Sequence, residues 1–295
     1  VTAQPENDAF IAYARVEKTI VTTFGDLIRV PGTTSSLQKE KAAGRDVRIV
    51  YSAYDALKIS QANPDKRVVF LGVGFETTAP TIAASILAAR DMKVPNFMVA
   101  CAHKTVPAAL EALMNNDQVQ INGFLLPGHV SVILGRQAYQ PFFDKYQVPS
   151  VVAGFEPTDI LEAVRRLVDQ IEKGAPQLDN AYARAVNEAG NPKARAVMDT
   201  VFEPVDAVFR GIGTIPGSGL KIRPAFATHD AAVQIPVSVS VSKEPAGCAC
   251  GDILTGAKTP PECRLFRKAC TPENPIGPCM VSSEGTCSAY FRFHQ

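Results

Sequence analysis

Six of the seven cysteines in this 295-residue chain fall close together near its end, at Cys248, Cys250, Cys263, Cys270, Cys279 and Cys287. Thiolates at that density can bind metal, cross-link the chain or carry redox chemistry. Twelve residues separate Cys250 from Cys263, six separate Cys263 from Cys270 and sixteen separate Cys270 from Cys287, and no CxxC pair occurs. Structural zinc usually draws its thiolates from tight pairs, and only Cys248 and Cys250 are that close. Disulfide frameworks belong to small secreted domains, whereas this tail follows a long globular body. An iron-sulfur cluster accepts thiolates from widely spaced loop positions. Spacing leaves all three open.

The other residues that could do chemistry lie at strand ends. Asp26 and Arg29 follow one expected strand and read as paired charges near a cleft, or as an ordinary loop salt bridge. Glu76 and Thr77 follow another, where a carboxylate is stabilised by the helix dipole even with no chemistry to perform. His129 sits in the strand-end loop Pro127-Gly-His129, with a site role or a simple backbone hydrogen bond. Glu284, three residues before Cys287, could relay protons or hydrogen-bond nearby amides. Cys101 ends an apolar strand and reads as a buried, inert thiol. His103, His229 and His294 lack ligand-like spacing and read as structural or exposed. Gly72-Val-Gly74 begins a dinucleotide fingerprint, but Thr77 stands where its third glycine belongs.

These residues need elements to position them, and the body supplies an alternation. Helix patterns at 5–18, 37–43, 55–61, 79–90 and 106–115 interleave with β-branched or apolar runs at 20–24, 47–51, 68–72, 97–101, 123–126 and 150–153. Ser35 or Ser36 can cap the second helix, with Gly44 as its stop. Such alternation predicts parallel sheets covered by helices, with sites beyond the C-terminal strand ends. Gly74-Phe-Glu-Thr-Thr78 is echoed by Gly154-Phe-Glu-Pro-Thr158, each opening a long helix, which fits two similar α/β domains facing across a cleft. The expected division is 1–92 for the first domain and 93–174 for the second. A helical return and connector follows at 175–240, helical over 179–201, then a loop-rich cysteine domain at 241–295. The alternating run Val237 to Ser242 could be a further strand.

The longer motifs carry a resemblance. Cys250-Gly-Asp-Ile-Leu-Thr-Gly, Pro261-Glu-Cys263-Arg-Leu-Phe, Cys270-Thr-Pro-Glu-Asn-Pro-Ile-Gly-Pro-Cys279 and Met280-Val-Ser-Ser-Glu-Gly-Thr-Cys287 resemble the C-terminal signature of the HypD family of hydrogenase maturation factors. Phe24-Gly-Asp-Leu-Ile-Arg-Val-Pro-Gly32, Gly72-Val-Gly-Phe-Glu-Thr-Thr-Ala-Pro80, Pro127-Gly-His-Val-Ser131 and Arg210-Gly-Ile-Gly-Thr-Ile-Pro-Gly-Ser-Gly-Leu220 agree, in order along the whole chain. The resemblance implies a 4Fe-4S cluster with Cys250, Cys263, Cys270 and Cys287 as ligands, leaving Cys248 and Cys279 spare. It implies a proton-relaying role for Glu284 in Ser-Ser-Glu-Gly. It further implies a scaffold that, with a HypC-type chaperone and a HypE-type cyanide donor, assembles the Fe(CN)2CO moiety of nickel-iron hydrogenase while the cluster relays electrons. In the family a CPVC motif directly precedes Val-Thr, residues 1 and 2 here. The chain is therefore expected to lack an N-terminal segment bearing CGGHTH and CPVC, with the ligand of the transient Fe(CN)2CO iron outside it.

Composition bounds the alternatives. A hydrophobic share of 46% over this length suffices for one large or two medium domains. The net charge of +1, from 30 basic and 29 acidic residues, with no basic stripe, argues against nucleic acid as a partner. The longest apolar runs, such as Val68 to Val73, are strand length and predict no membrane span. No secretory h-region opens the chain, so the cytoplasm is expected. Two other classes compete with the scaffold: a cluster-dependent redox enzyme acting on a small substrate, and a zinc-stapled structural protein.

Overall fold

A computed structural model describes residues 2–117, 119, 121–239 and 244–294. The first unit runs α1 (Gln4–Arg15), β1 (Thr19–Thr23), α2 (Leu37–Ala42), β2 (Val47–Ile49), α3 (Ala53–Ala62), β3 (Arg67–Gly74), α4 (Ala79–Asp91) and β4 (Phe97–His103). Local chemistry sets its boundaries. Ser36 Oγ accepts from the Lys39 amide and Ser52 Oγ from the Asp55 amide, satisfying N–H groups that a helix start leaves open. Gly44, at φ +88°, follows the end of α2. The four strands are all parallel, in the order β2-β1-β3-β4.

Central β3 shows why the sheet holds. Val68, Val69, Phe70 and Leu71 are fully buried, with alternate side chains entering opposite layers. Phe70 joins Leu57 and Ile82 under α3 and α4, whereas Val69 and Leu71 join Phe10 and Leu37 under α1 and α2. Each such side chain stabilises the fold by about 1.5–3 kcal/mol through burial.

The second unit comprises α5 (Val106–Met114), β5 (Phe124–Pro127), α6 (Gly128–Leu134), α7 (Gln140–Tyr146), β6 (Ser150–Ala153), α8 (Pro157–Lys173) and β7 (Leu178–Asn180). Its sheet is parallel in the order β5-β6-β7. Phe124, Leu126, Tyr139 and Phe142 form its main core.

The first sheet takes in residues 97–103 by pairing β4 with β3, past the division expected at residue 92. Helix is confined to α9 (Pro192–Val201) within the stretch 179–201, because β7 adds a strand to the second sheet and residues 181–191 form turns and loop. In α9, Met198 and Val201 enter the core beneath α4. The expected connector also holds an antiparallel hairpin, β8 (Phe202–Phe209) with β9 (Gly213–Ile222), whose bulge between Val205 and Ala207 breaks simple alternation. Residues 240–242 of the possible strand at 237–242 lie outside the described residues. After α10 (Ala231–Gln234), the tail is largely turns, with short α11 (Cys250–Leu254) and terminal α12 (Thr286–Phe293). No helix among the described residues is long and apolar enough to cross a membrane.

Candidate functional site

In the first sheet the chain order reverses between β1 and β3, the switch point where open α/β sheets leave a crevice. The loop after β3 opens there and, with the end of β5, the start of α6 and the loop after β6, lines a cleft of about 820 Å³. Phe75 and Thr77 come from one sheet, Pro127, His129 and Phe155 from the other, and Glu284 from the tail. The two phenylalanines of the five-residue echo thus both reach the cleft, with the His129 ring 4.4 Å from that of Phe155. Val106, Val130, Val132 and Ile133 complete an apolar wall. Such a wall sheds water around the few polar groups, Thr77, His129 and Glu284, that can donate, accept or move a proton.

Glu76 sits behind this surface rather than on it. It is 2% exposed, and its carboxylate accepts the Val106 amide at the start of α5, 3.0 Å from Oε1. Burial pushes its carboxyl up to about 7, although hydrogen bonds from its own amide and that of Val106 pull the other way. The unfolded carboxyl titrates near 4.5, so between 4.5 and 7 the unfolded chain is the first to lose the proton. The stabilisation is therefore complete below pH 4.5 and lost as pH rises through about 7, a loss of about 3 kcal/mol. Glu76→Gln keeps an acceptor for Val106 and is expected to flatten the urea midpoint across that window. An unchanged slope would assign the pH dependence elsewhere.

Asp26 and Arg29 do different jobs instead of pairing. Asp26 Oδ1 accepts from the Leu27 amide and caps the short 3-10 turn Leu27–Arg29. Arg29 reaches into the tail, donating to the Val281 carbonyl at 2.7 Å and to that of Pro272 at 3.3 Å. It straps the cysteine-rich segment onto the first sheet's switch point.

The tail thiols converge. Cys250, Cys263, Cys270, Cys279 and Cys287 are buried in one cluster with Met280 and Phe266, and Cys248 packs against it. Cys279 Sγ lies 3.2 Å from Cys287 Sγ, and the Cys270 sulfur accepts the Ile276 amide at 3.3 Å. Of the two cysteines expected to be spare, Cys279 is thus inside the nest and Cys248 lies against it. Cys250 is hydrogen-bonded to Cys279, which together with burial pushes its thiol up. Burial pushes Cys248 up to about 11, and Cys250, Cys263 and Cys270 all lie near enough to add to the shift. Glycines make this approach possible: a Cβ on Gly277 would stand 2.8 Å from Cys248 Sγ, and one on Gly285 would stand 2.3 Å from the Cys279 carbonyl oxygen. Gly285 directly follows Glu284, so one turn serves both the cleft and the nest. Among the described residues no three His, Cys, Asp or Glu side chains close around a single point as for one ion.

Cys101 stands apart. Its thiol donates to the Leu220 carbonyl at 3.0 Å, lies 3.3 Å from His103 Nδ1, and is pushed up to about 12 by burial. His103 is buried in β4, His229 is buried against β4 with Nδ1 2.8 Å from the Phe97 carbonyl, and His294 stacks on Tyr290. Arg210, within the glycine-rich run Arg210-Gly-Ile-Gly, is buried in the β8–β9 turn, a placement that its glycine-rich surroundings do not announce.

A two-sheet α/β body with a strand-end cleft, capped by a thiol-rich tail, defines the class of protein. The family model described as "HypD: Hydrogenase formation hypA family" matches residues 1–294, and the chain belongs to that family. It is 42% identical over 294 residues to the hydrogenase maturation factor HypD of Rhizobium leguminosarum bv. viciae, covering 97% of this chain and 76% of the relative. It is 44% identical over 291 residues to HypD of Rhodobacter capsulatus, covering 97% and 77%. A putative hydrogenase expression/formation protein of Methanocaldococcus jannaschii is 40% identical over 295 residues, covering 100% and 82%.

Proposed function

We propose that this chain acts in hydrogenase maturation as an assembly scaffold. Its cargo is the Fe(CN)2CO moiety of nickel-iron hydrogenase, handled in the cytoplasm with a HypC-type chaperone and a HypE-type cyanide donor. Family membership supports the maturation role. The observation that carries the scaffold reading is the cleft itself, where Thr77, His129 and Glu284 meet within apolar walls beside the thiol nest.

The nest suits a 4Fe-4S cluster on its donor chemistry, since thiolates are the ligands such clusters take. Cys250, Cys263, Cys270 and Cys287 would hold it. Cys248 competes for the place of Cys250, which is already engaged with Cys279. The cluster, when bound, supplies one-electron chemistry. Around it the protein's own residues do three things. The thiols release protons to become ligands, Arg29 fixes the tail against the switch point, and the carboxylate of Glu284 carries a proton between nest and cleft.

Glu284→Gln tests this. Glutamine keeps the size and the hydrogen-bonding of the side chain but cannot exchange a proton. The expected result is wild-type iron content with hydrogenase maturation abolished in cells lacking their own family member. Normal maturation would return Glu284 to a surface residue that merely lines the cleft.

A further inference from the structure

Arg210 is a buried cation with an incomplete set of partners. It occupies the turn between β8 and β9 and is 2% exposed. Its Nε donates to Glu244 Oε1 at 3.2 Å, and Nη2 meets Glu244 Oε2 at 2.9 Å and also donates to Gln4 Oε1. Nη1 has no hydrogen-bond partner among the described residues. A guanidinium carries five fixed donors, and leaving buried donors unmatched is costly unless something anionic meets them.

The neighbourhood says what that is. Gly211, next in the chain, lies against Gly251 so closely that a Cβ on Gly211 would stand 2.2 Å from Gly251 Cα. Arg210 and Cys250 therefore flank one backbone-to-backbone contact between hairpin turn and thiol nest. Glu244 neutralises part of the guanidinium charge but is itself half exposed, where water screens it.

We propose that Arg210 is a positioning residue for the tail's iron-sulfur site, its Nη1 group donating to sulfur on the Cys250 side and stabilising the cluster's more negative, reduced form. This rests on the cluster reading above. Hydrogen bonds to sulfur and local net charge are two of the levers that set cluster potentials, and residues behind the ligands commonly apply them.

The test is a spectroelectrochemical titration of the anaerobically reconstituted full chain, with iron content and melting temperature measured alongside. Arg210→Gln is expected to retain iron and lower the midpoint potential by about 59 mV, equivalent to about a tenfold change for one electron. Arg210→Lys, which keeps the charge, should recover part of that shift. Glu244→Gln removes the strap but leaves the cation less neutralised, so its potential should rise. A merely structural strap predicts otherwise, with Glu244→Gln reproducing Arg210→Gln. That outcome, or an unchanged potential in Arg210→Gln with full iron, overturns the proposal. Should Arg210→Gln not fold, the sign of the Glu244→Gln shift decides: a rise supports the proposal, and no rise overturns it. Wild-type protein that takes up no iron would instead overturn the underlying cluster reading, and iron analysis reveals that before any potential is measured.

Discussion

Cys263→Ser and Cys270→Ser are each expected to cut the iron of anaerobically reconstituted protein from about four atoms per chain to less than half that number. Both sulfurs are buried in the nest, where a serine hydroxyl would stay protonated and offer a hard, weak oxygen in place of a soft thiolate. Cys270 has a second structural task, because its sulfur accepts the Ile276 amide and so helps shape the loop that returns towards Cys279. Serine can take over that bond, so the variant should stay folded while losing metal. Cys101→Ala, remote and bonded to the Leu220 carbonyl, should keep full iron. The CxC pair is the informative comparison. If Cys250 is a ligand, Cys250→Ser loses iron and Cys248→Ser does not. The reverse pattern would place Cys248 in the site and leave Cys250 with its neighbour Cys279. Full iron in every variant, or zinc bound stoichiometrically by the wild type, would refute the cluster.

The parallel sheets were legible because their signals are local. β3 is an unbroken apolar run bounded by a turn and a glycine, and α2 and α3 each begin at a serine that caps them. The hairpin β8–β9 was not, since its strands alternate exposure around a bulge and contain Pro204, Pro216 and several glycines that read as loop. The stretch after residue 178 misled in a different way: three residues of β7 take their stability from pairing with β6, a non-local contact that periodicity cannot report.

Of the residues that line the cleft, Thr77 and His129 sit at strand ends readable from the sequence, and the five-residue echo already contained Phe75 and Phe155. What the sequence withheld was direction. Glu76 and Thr77 are adjacent, yet one is buried against Val106 and the other faces the cleft. Arg29 proved to contact residues more than 240 positions away. Which of six cysteines are spare is likewise a matter of three-dimensional neighbours, with Cys279 only 3.2 Å from Cys287.

Gly211→Ala is expected to be among the most damaging single-methyl changes in the chain. Two costs add. The residue sits at φ +80°, where an L side chain loses about 1–2 kcal/mol relative to glycine. Its Cβ would also stand 2.2 Å from Gly251 Cα and 3.0 Å from the Gly251 carbonyl carbon, and backbone cannot rotate aside as a flexible side chain can. Forced overpacking of this kind costs about a further 1–3 kcal/mol, or it is relieved by parting the hairpin turn from the tail. Parting them would expose Arg210 and open the nest beside Cys250, so iron content should fall together with stability. Gly217→Ala separates the two costs. It has a similar left-handed backbone, φ +61°, but nothing within 4 Å of the added methyl, and should pay only the conformational part. Gly251→Ala approaches from the other side, with its Cβ 2.7 Å from Gly211 Cα, but its backbone is helical within α11, so it should pay only the steric part. Urea unfolding, iron analysis and limited proteolysis of the tail read all three. If Gly211→Ala is no less stable than Gly217→Ala and keeps its iron, the glycine-glycine contact does not hold the tail to the body.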